Sequence, residues 1–116
     1  MKFNGLVKEA QAQVREVSPA SVAETLADYL VLDVREPQEV LYGYLPGAIN
    51  VPRGTMEFRV TEDNRFADQA RAILVYSGDG KRSVLAALTL SQIGYSDVQS
   101  LAGGIERWSQ EDLPVE

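Results

Sequence analysis

Short apolar runs recur along the chain and are separated by longer amphipathic segments. The clearest runs lie at 30–34, 73–76 and 98–101, and weaker candidates lie at 14–17 and 49–51. An apolar run without alternation is typical of a strand that is covered on both faces, as in a parallel sheet. The pattern therefore predicts strands at these positions.

Helical periodicity fills the intervals between these runs. Ser18 followed by Pro19 is a helix start signal, and the apolar spacing after it predicts a helix at 19–29. Segment 83–93 is apolar around most of its circumference, which indicates a helix buried against the sheet with its N-terminus held in place. Further helices are predicted at 2–12, 54–60 and 104–110. Strands that alternate with helices indicate an α/β domain with a mainly parallel sheet.

Composition narrows the class of protein. The chain has 116 residues, 45% of them hydrophobic, and a formal net charge of −6. This size fits a single domain, 1–116, with one core. An acidic surface repels phosphate backbones and anionic lipid, which argues against nucleic-acid and membrane partners. Charges interrupt every apolar run near the N-terminus, and no segment approaches the length of a bilayer span, so we expect a cytoplasmic protein.

Two residue types are missing from the sequence. There is no cysteine, which excludes disulfides, thiolate metal sites and thiol chemistry in this form. There is no histidine either, which removes the usual general base and the commonest metal ligand. No metal and no organic cofactor is implied.

The segment S-G-D-G-K-R at 77–82 lies between a predicted strand and a predicted helix. Its two glycines let the backbone curl so that N–H groups point inward, and the helix start adds unpaired donors. Lys81 and Arg82 raise the local potential, Arg82 with a fork suited to oxyanions. We therefore predict an anion-binding loop, and the alternative is an ordinary turn with solvated charges. The candidate site residues are Ser77, Gly78, Asp79, Gly80, Lys81, Arg82 and Ser83.

Three known loop motifs are each incomplete here. A P-loop needs glycine and then Ser or Thr where this chain has Val75 and Arg82. A dinucleotide fingerprint G-x-G-x-x-G needs a third glycine where Ser83 stands. A nucleophile elbow needs glycines flanking Ser77 at two residues' distance, and the chain lacks a histidine to activate that serine. These differences argue against a nucleotide-binding loop and against a serine hydrolase.

Four motifs occur in order along the chain. They are D-V-R-E at 33–36, G-Y-L-P-G-A-I-N-V-P at 43–52, the loop with its following serine at 77–83, and G-Y-S-D-V-Q-S-L-A-G-G-I-E-R-W at 94–108. Together they resemble the rhodanese-like (thiosulfate sulfurtransferase) family over about residues 14–113, which leaves 1–13 as an N-terminal helical extension. The resemblance implies a five-stranded, mainly parallel sheet flanked by helices on both faces, with the active-site loop after the fourth strand.

In that family the first residue of the loop is a cysteine. It takes a sulfane sulfur from thiosulfate or a persulfide donor, becomes a persulfide, and passes the sulfur to a thiophilic acceptor. An anion cradle suits this cycle because inward N–H groups lower the pKa of a cysteine from about 8.5 and stabilise the charged persulfide. Here Ser77 occupies the position. A hydroxyl oxygen cannot carry sulfur in this cycle, so we predict no turnover of thiosulfate by the chain as written.

The serine has two explanations. Either Ser77 replaces a native cysteine, and the natural protein is a sulfurtransferase, or serine is native and the domain is a non-catalytic relative that binds an anion or a protein partner. The resemblance also implies a structural role for Asp33 and Arg35 near the loop. Residues 77–82 have the six-residue length of sulfurtransferase loops, whereas the related dual-specificity phosphatases have a longer one. Loop length therefore argues against phosphatase activity.

Overall fold

A computed structural model describes residues 2–116 of the chain. In chain order the elements are α1 (Phe3–Gln11), β1 (Arg15–Val17), α2 (Pro19–Val22), β2 (Leu30–Asp33), α3 (Pro37–Val40), β3 (Ile49–Asn50), α4 (Met56–Glu62), β4 (Ile73–Tyr76), α5 (Lys81–Ile93), β5 (Val98–Leu101) and α6 (Gly104–Gln110). Three 3₁₀ segments lie at Ala23–Asp28, Arg53–Thr55 and Asn64–Phe66.

The five strands form one sheet in the order β1-β5-β4-β2-β3, and every pairing is parallel. Val75 in the central strand β4 is in register with Leu32 of β2 on one side and with Ser100 of β5 on the other. The predicted five-stranded α/β fold is therefore confirmed. The sheet is wholly parallel rather than mainly so.

Alternate side chains of the central strand face two separate cores. Ile73 and Val75 pack in the layer that contains α4 and α5, whereas Leu74 and Tyr76 pack in the layer that contains α2 and α6. All four side chains are buried. Helices thus cover both faces of the sheet, as expected. The apolar runs lack hydrophobic–polar alternation because neither face of the sheet meets water.

The N-terminal helix α1 packs on α5 of the same chain and buries Val7 and Ala10. The bounds of α1, Phe3–Gln11, agree with the helix predicted at 2–12. Residue 1 of the predicted extension lies outside the described residues, and the boundary of that extension at residue 13 stays a prediction. None of the helices within residues 2–116 combines the length and the apolar character that a bilayer crossing requires.

The continuous helix predicted at 19–29 is wrong. Ser18 does cap α2, since its Oγ accepts a hydrogen bond from the Ser21 N–H at 3.3 Å. However, α2 ends at Val22, and the chain continues as a 3₁₀ segment interrupted by non-helical angles at Thr25. Such tight winding is common where a short helix runs into a connection. Val22 and Leu26 are buried all the same, so the apolar spacing identified the core positions but not the type of helix.

Helix α3 was not predicted from the sequence. Four residues are too few to show helical periodicity, but its start carries two local signals. Pro37 occupies the first helical position, and Glu36 and Glu39 form a capping box. A search for capping motifs would therefore have found α3 where a search for periodicity did not.

Helix α6 begins in direct contact with the segment that follows β4. The Ile105 N–H donates to the Ser77 carbonyl oxygen and the Glu106 N–H donates to the Gly78 carbonyl oxygen, both at 3.0 Å. This approach requires glycine at position 104, because a Cβ there would lie 2.4 Å from each of these two oxygens. Gly104 also has φ +61°, a left-handed conformation that disfavours other residues.

We predict that Gly104→Ala destabilises the fold by about 1–3 kcal/mol, the usual cost of forcing extra volume into a packed site. Urea unfolding followed by circular dichroism measures the loss. Gly54→Ala is the matched control, because a Cβ at Gly54 meets nothing within 4 Å. Equal stability of the two variants would show that α6 can move off the loop without cost.

Candidate active site

The loop of residues 77–80 joins the central strand β4 to α5 at the carboxyl edge of the sheet, where parallel α/β folds bind ligands. Gly80, the last loop residue, has a left-handed backbone with φ +95°. A Cβ there would lie 3.0 Å from the Gly103 nitrogen and 3.3 Å from the Leu101 carbonyl oxygen. Glycine is therefore required by both conformation and space. Helix α5 begins at Lys81, two residues before the predicted start at 83.

The side chain of Ser77 is fully buried at the base of this loop. Its Oγ accepts hydrogen bonds from the N–H groups of Gly80 and Ser83, both at 3.2 Å, and donates one to Ser83 Oγ at 3.3 Å. Two backbone donors thus converge on a single side-chain atom beside the start of α5. Such convergence stabilises negative charge on that atom.

Further N–H groups of the loop and of the first turn of α5 have no hydrogen-bond partner within residues 2–116. Those of Gly78, Asp79 and Arg82 donate to no residue within 2–116, whereas the Lys81 N–H donates to the Asp79 carboxylate at 3.0 Å. In a trans peptide the N–H points opposite to the carbonyl of the preceding residue. Because α6 holds the carbonyls of Ser77 and Gly78, the N–H groups of Gly78 and Asp79 point away from α6. The loop therefore keeps donors for an external anion.

Arg82 does not present a free guanidinium to the loop. Its Nη2 and Nη1 donate to the two carboxylate oxygens of Glu39 at 2.8 and 3.1 Å. The hydrogen bond from Arg82 lowers the pKa of Glu39 below its ordinary value. The stabilisation from this pair is therefore present above the ordinary glutamate pKa and is lost only as the pH falls through the lower, folded-state value. At neutral pH the fork of Arg82 is occupied.

An open pocket of about 480 Å³ lies above the loop, with Phe3 of α1 and Ile105 of α6 in its wall. Charged side chains of both signs also line it. Three are cationic and three are anionic, namely Arg35, Lys81 and Arg82 against Glu39, Asp79 and Glu106. Lys81 and Arg82 were expected to raise the potential at the loop, but the three nearby carboxylates offset this effect.

Asp33 and Arg35 form a buried ion pair at the end of β2. Arg35 Nη2 lies 2.8 Å from Asp33 Oδ2, and its Nε and backbone N–H also donate to this carboxylate. Arg35 then reaches outward, donating through Nη1 to the Glu39 carbonyl and through Nη2 to the Gly43 carbonyl. The pair therefore ties β2 to the segment that carries Glu39, the partner of Arg82.

Tyr76 supports the same ion pair from the central strand. Its hydroxyl donates to Asp33 Oδ2 at 2.6 Å and accepts from the Leu45 N–H at 3.1 Å. Burial raises the pKa of Tyr76, and the hydrogen bond to Asp33 raises it further. The phenol consequently stays a neutral donor, and Arg35 lies over its ring with the guanidinium carbon 5.5 Å from the centroid.

Comparison with known proteins agrees with this fold. The family model described as the rhodanese-like domain matches residues 18–111. The chain belongs to the rhodanese-like family. This rhodanese-like domain is 33% identical over 105 residues to a sulfurtransferase of Allochromatium vinosum, an alignment that covers 88% of this chain and 94% of that one.

Two further likenesses extend the comparison. The domain is 33% identical over 111 residues to the chloroplastic thiosulfate sulfurtransferase 16 of Arabidopsis thaliana, covering 84% of this chain and 92% of that one. A solved structure from Rhodopseudomonas palustris, of unknown function and described as a possible tyrosine phosphatase, matches with a TM-score of 0.92 and 25% identity. This match covers 100% of the present chain and 95% of that chain, so α1 is included in the shared fold.

Several residues of this arrangement were not identified from the sequence of the rhodanese-like domain. Glu39 is 43 residues from its partner Arg82, and Tyr76 is 43 residues from Asp33, so no local pattern links them. Ser100 lies in the middle of an otherwise ordinary strand, yet its Oγ is 2.9 Å from Ser83 Oγ. Only the parallel pairing of β4 and β5 brings Ser100 under the loop.

Two ion pairs of the same local design occur within residues 2–116, which allows a matched test of burial. Asp63 and Arg65 reproduce the hydrogen bonds of Asp33 and Arg35 at the surface. We predict that Asp33→Ala lowers the free energy of unfolding by about 3–5 kcal/mol, because it leaves the buried Arg35 without its counter-ion.

The control variant Asp63→Ala should lose far less, because solvent screens the exposed pair. Chemical denaturation of both variants gives the two values. Similar losses in the two variants would contradict the supporting role of the buried pair.

Proposed function

We propose that this domain transfers sulfane sulfur through a nucleophile at position 77, from thiosulfate or a persulfide to a thiophilic acceptor. We also propose that the chain with Ser77 does not turn over thiosulfate, because this transfer requires a cysteine at position 77. The observation that carries the proposal is the convergence of the Gly80 and Ser83 N–H groups on the side-chain atom at position 77. The likeness to sulfurtransferases over most of the chain supports the same chemistry.

In the proposed cycle a cysteine thiolate at position 77 attacks the outer sulfur of thiosulfate. The S–S bond of thiosulfate breaks, sulfite leaves with the electron pair, and position 77 becomes a persulfide. A nucleophilic acceptor such as cyanide then attacks the outer persulfide sulfur, which releases thiocyanate and restores the thiolate. The thiolate and the persulfide are both anions, so fixed N–H donors at the loop favour each of them.

Serine does not support this cycle. Among the described residues, the hydrogen-bond partners of Ser77 Oγ are two N–H groups and one hydroxyl, and none of these is a base. The sequence has no histidine to take the proton. The oxygen therefore stays protonated, and it has no sulfur to exchange.

A second candidate function is binding without turnover. The unpaired N–H groups of Gly78, Asp79 and Arg82 favour it, because they leave the loop able to hold an anion whichever residue stands at position 77. In this case the anion or a protein partner would be the ligand of the native serine form.

We predict that Ser77→Cys produces thiocyanate from thiosulfate and cyanide, while the Ser77 protein stays at the blank rate. Colorimetric detection of thiocyanate gives the rate, and circular dichroism confirms that both proteins are folded. The same variant should not hydrolyse p-nitrophenyl phosphate, because its loop has the shorter length. A folded variant that makes no thiocyanate would overturn the sulfurtransferase proposal, and phosphate release without thiocyanate would assign the loop to phosphatase chemistry.

Glu39 should compete with an anionic donor for Arg82. In the Ser77→Cys background, we predict that Glu39→Gln lowers the KM for thiosulfate by about two- to fivefold with little change in kcat, because it weakens a half-exposed ion pair. Glu111→Gln is the matched control, since it removes a carboxylate from the comparably exposed Arg107–Glu111 pair on α6. An unchanged or raised KM in the Glu39 variant would show that Arg82 does not contact the donor.

A further inference from the structure

Three buried hydroxyls form a chain beneath the loop. Ser77 Oγ lies 3.3 Å from Ser83 Oγ, and Ser83 Oγ lies 2.9 Å from Ser100 Oγ. All three residues are completely buried. Ser83 is in the first turn of α5, and Ser100 is in β5, so the chain of hydroxyls runs from the loop into the sheet.

The protons of these hydroxyls can be assigned by counting. Ser83 Oγ has one proton and donates it to the Gly80 carbonyl at 3.1 Å. Within residues 2–116, Ser83 is the only hydrogen-bond partner of the Ser100 side chain. If Ser83 donated to Ser100, the buried Ser100 proton would have no acceptor, which is costly. Ser100 therefore donates to Ser83.

An anionic sulfur at position 77 changes what Ser83 must do. A thiolate or persulfide has no proton to give, so it requires a donor where Ser77 now supplies one. The Ser83 hydroxyl can turn from the Gly80 carbonyl to the sulfur, because that carbonyl still accepts from the Val84 N–H at 3.3 Å. Ser83 Oγ in turn still accepts from Ser100. No buried polar group is left unpaired in either state.

We propose that Ser100 is a positioning residue for the nucleophile: its hydroxyl donates to Ser83 Oγ and so supports Ser83 as a hydrogen-bond donor to an anion at position 77. This inference rests on the proposed function only in taking sulfur as the atom at that position. Linked hydrogen bonds strengthen one another in a dry site, so loss of Ser100 weakens a bond that Ser100 does not itself make.

Charged groups around the pocket also influence an anion at position 77. They are Glu39 of α3, Asp79 of the loop, Lys81 and Arg82 of α5, Glu106 of α6, and Arg35 after β2. The substitutions at Ser77, Ser83 and Ser100 leave all of these charged groups unchanged. A difference between the variants therefore reports on the hydroxyl chain rather than on these charges.

The test is the pKa of the thiol in Ser77→Cys variants, read from thiolate absorbance near 240 nm as the pH is varied. The chain has no other cysteine, so the thiolate signal is single, and the Ser77 protein serves as the blank for tyrosine absorbance. We expect Ser100→Ala in the Ser77→Cys background to raise this pKa by about half a unit to one unit. Ser83→Ala should raise it further, because it removes the direct donor.

Two control variants separate positioning from stability. Ser100→Thr keeps the hydroxyl but adds a methyl group in a fully buried place, so it should lower the melting temperature while leaving the thiol pKa near that of Ser77→Cys alone. Ser96→Ala removes an exposed hydroxyl from the turn before β5 and should change neither. A thiol pKa that follows the melting temperature across these variants, rather than the presence of the Ser100 hydroxyl, would overturn the inference.

An unchanged thiol pKa in the Ser100→Ala variant would also overturn the inference that Ser100 is a positioning residue. These outcomes are distinct from failure of the proposed function. If the pKa shifts as expected but Ser77→Cys forms no thiocyanate, Ser100 positions the donor while the sulfurtransferase proposal fails. If thiocyanate forms and the pKa is insensitive to Ser100, only the inference about Ser100 fails.

Discussion

The start of α6 on the loop after β4 is the contact on which the site depends. A central strand becomes a helix within four residues, and the carbonyls of Ser77 and Gly78 would otherwise be left unpaired in a crowded place. The first N–H groups of α6 satisfy them, which is possible only because Gly104 has no Cβ. With the carbonyls fixed on one side, planar peptides must place the loop N–H groups on the other.

The backbone, more than the charged side chains, gives this site its preference for an anion. Arg35 and Arg82 are each engaged by a carboxylate, and acidic groups balance the basic ones around the pocket. At position 77 the N–H groups of Gly80 and Ser83 point at the side chain from the beginning of α5, and no carboxylate accepts from them. Asp79 accepts from the Lys81 N–H, but the Gly80 and Ser83 N–H groups stay directed at the side chain of residue 77. The arrangement therefore survives in a chain whose net charge is −6.

The buried Asp33–Arg35 pair and the exposed Asp63–Arg65 pair show how much of an ion pair's geometry is set by local sequence. Both have the spacing Asp-x-Arg and nearly the same hydrogen bonds, because the geometry depends on adjacent backbone. What distinguishes them is burial and the contact with Tyr76, which comes from another strand. A motif therefore predicts the ion pair, and the fold decides whether the pair holds the structure together.

The sequence by itself determined the order of the strands and of the longer helices, a mainly parallel sheet and the glycine-rich loop at 77–82. It could do so because these follow from apolar runs, helix start signals and backbone freedom, all of which are local. Only the tertiary structure decided that Glu39 pairs with Arg82, that Gly104 lets α6 pack against the loop, and that Ser100 lies beneath Ser83. Each of these contacts joins residues that are distant along the chain, and their proximity depends on strand order and helix packing, which no local pattern encodes.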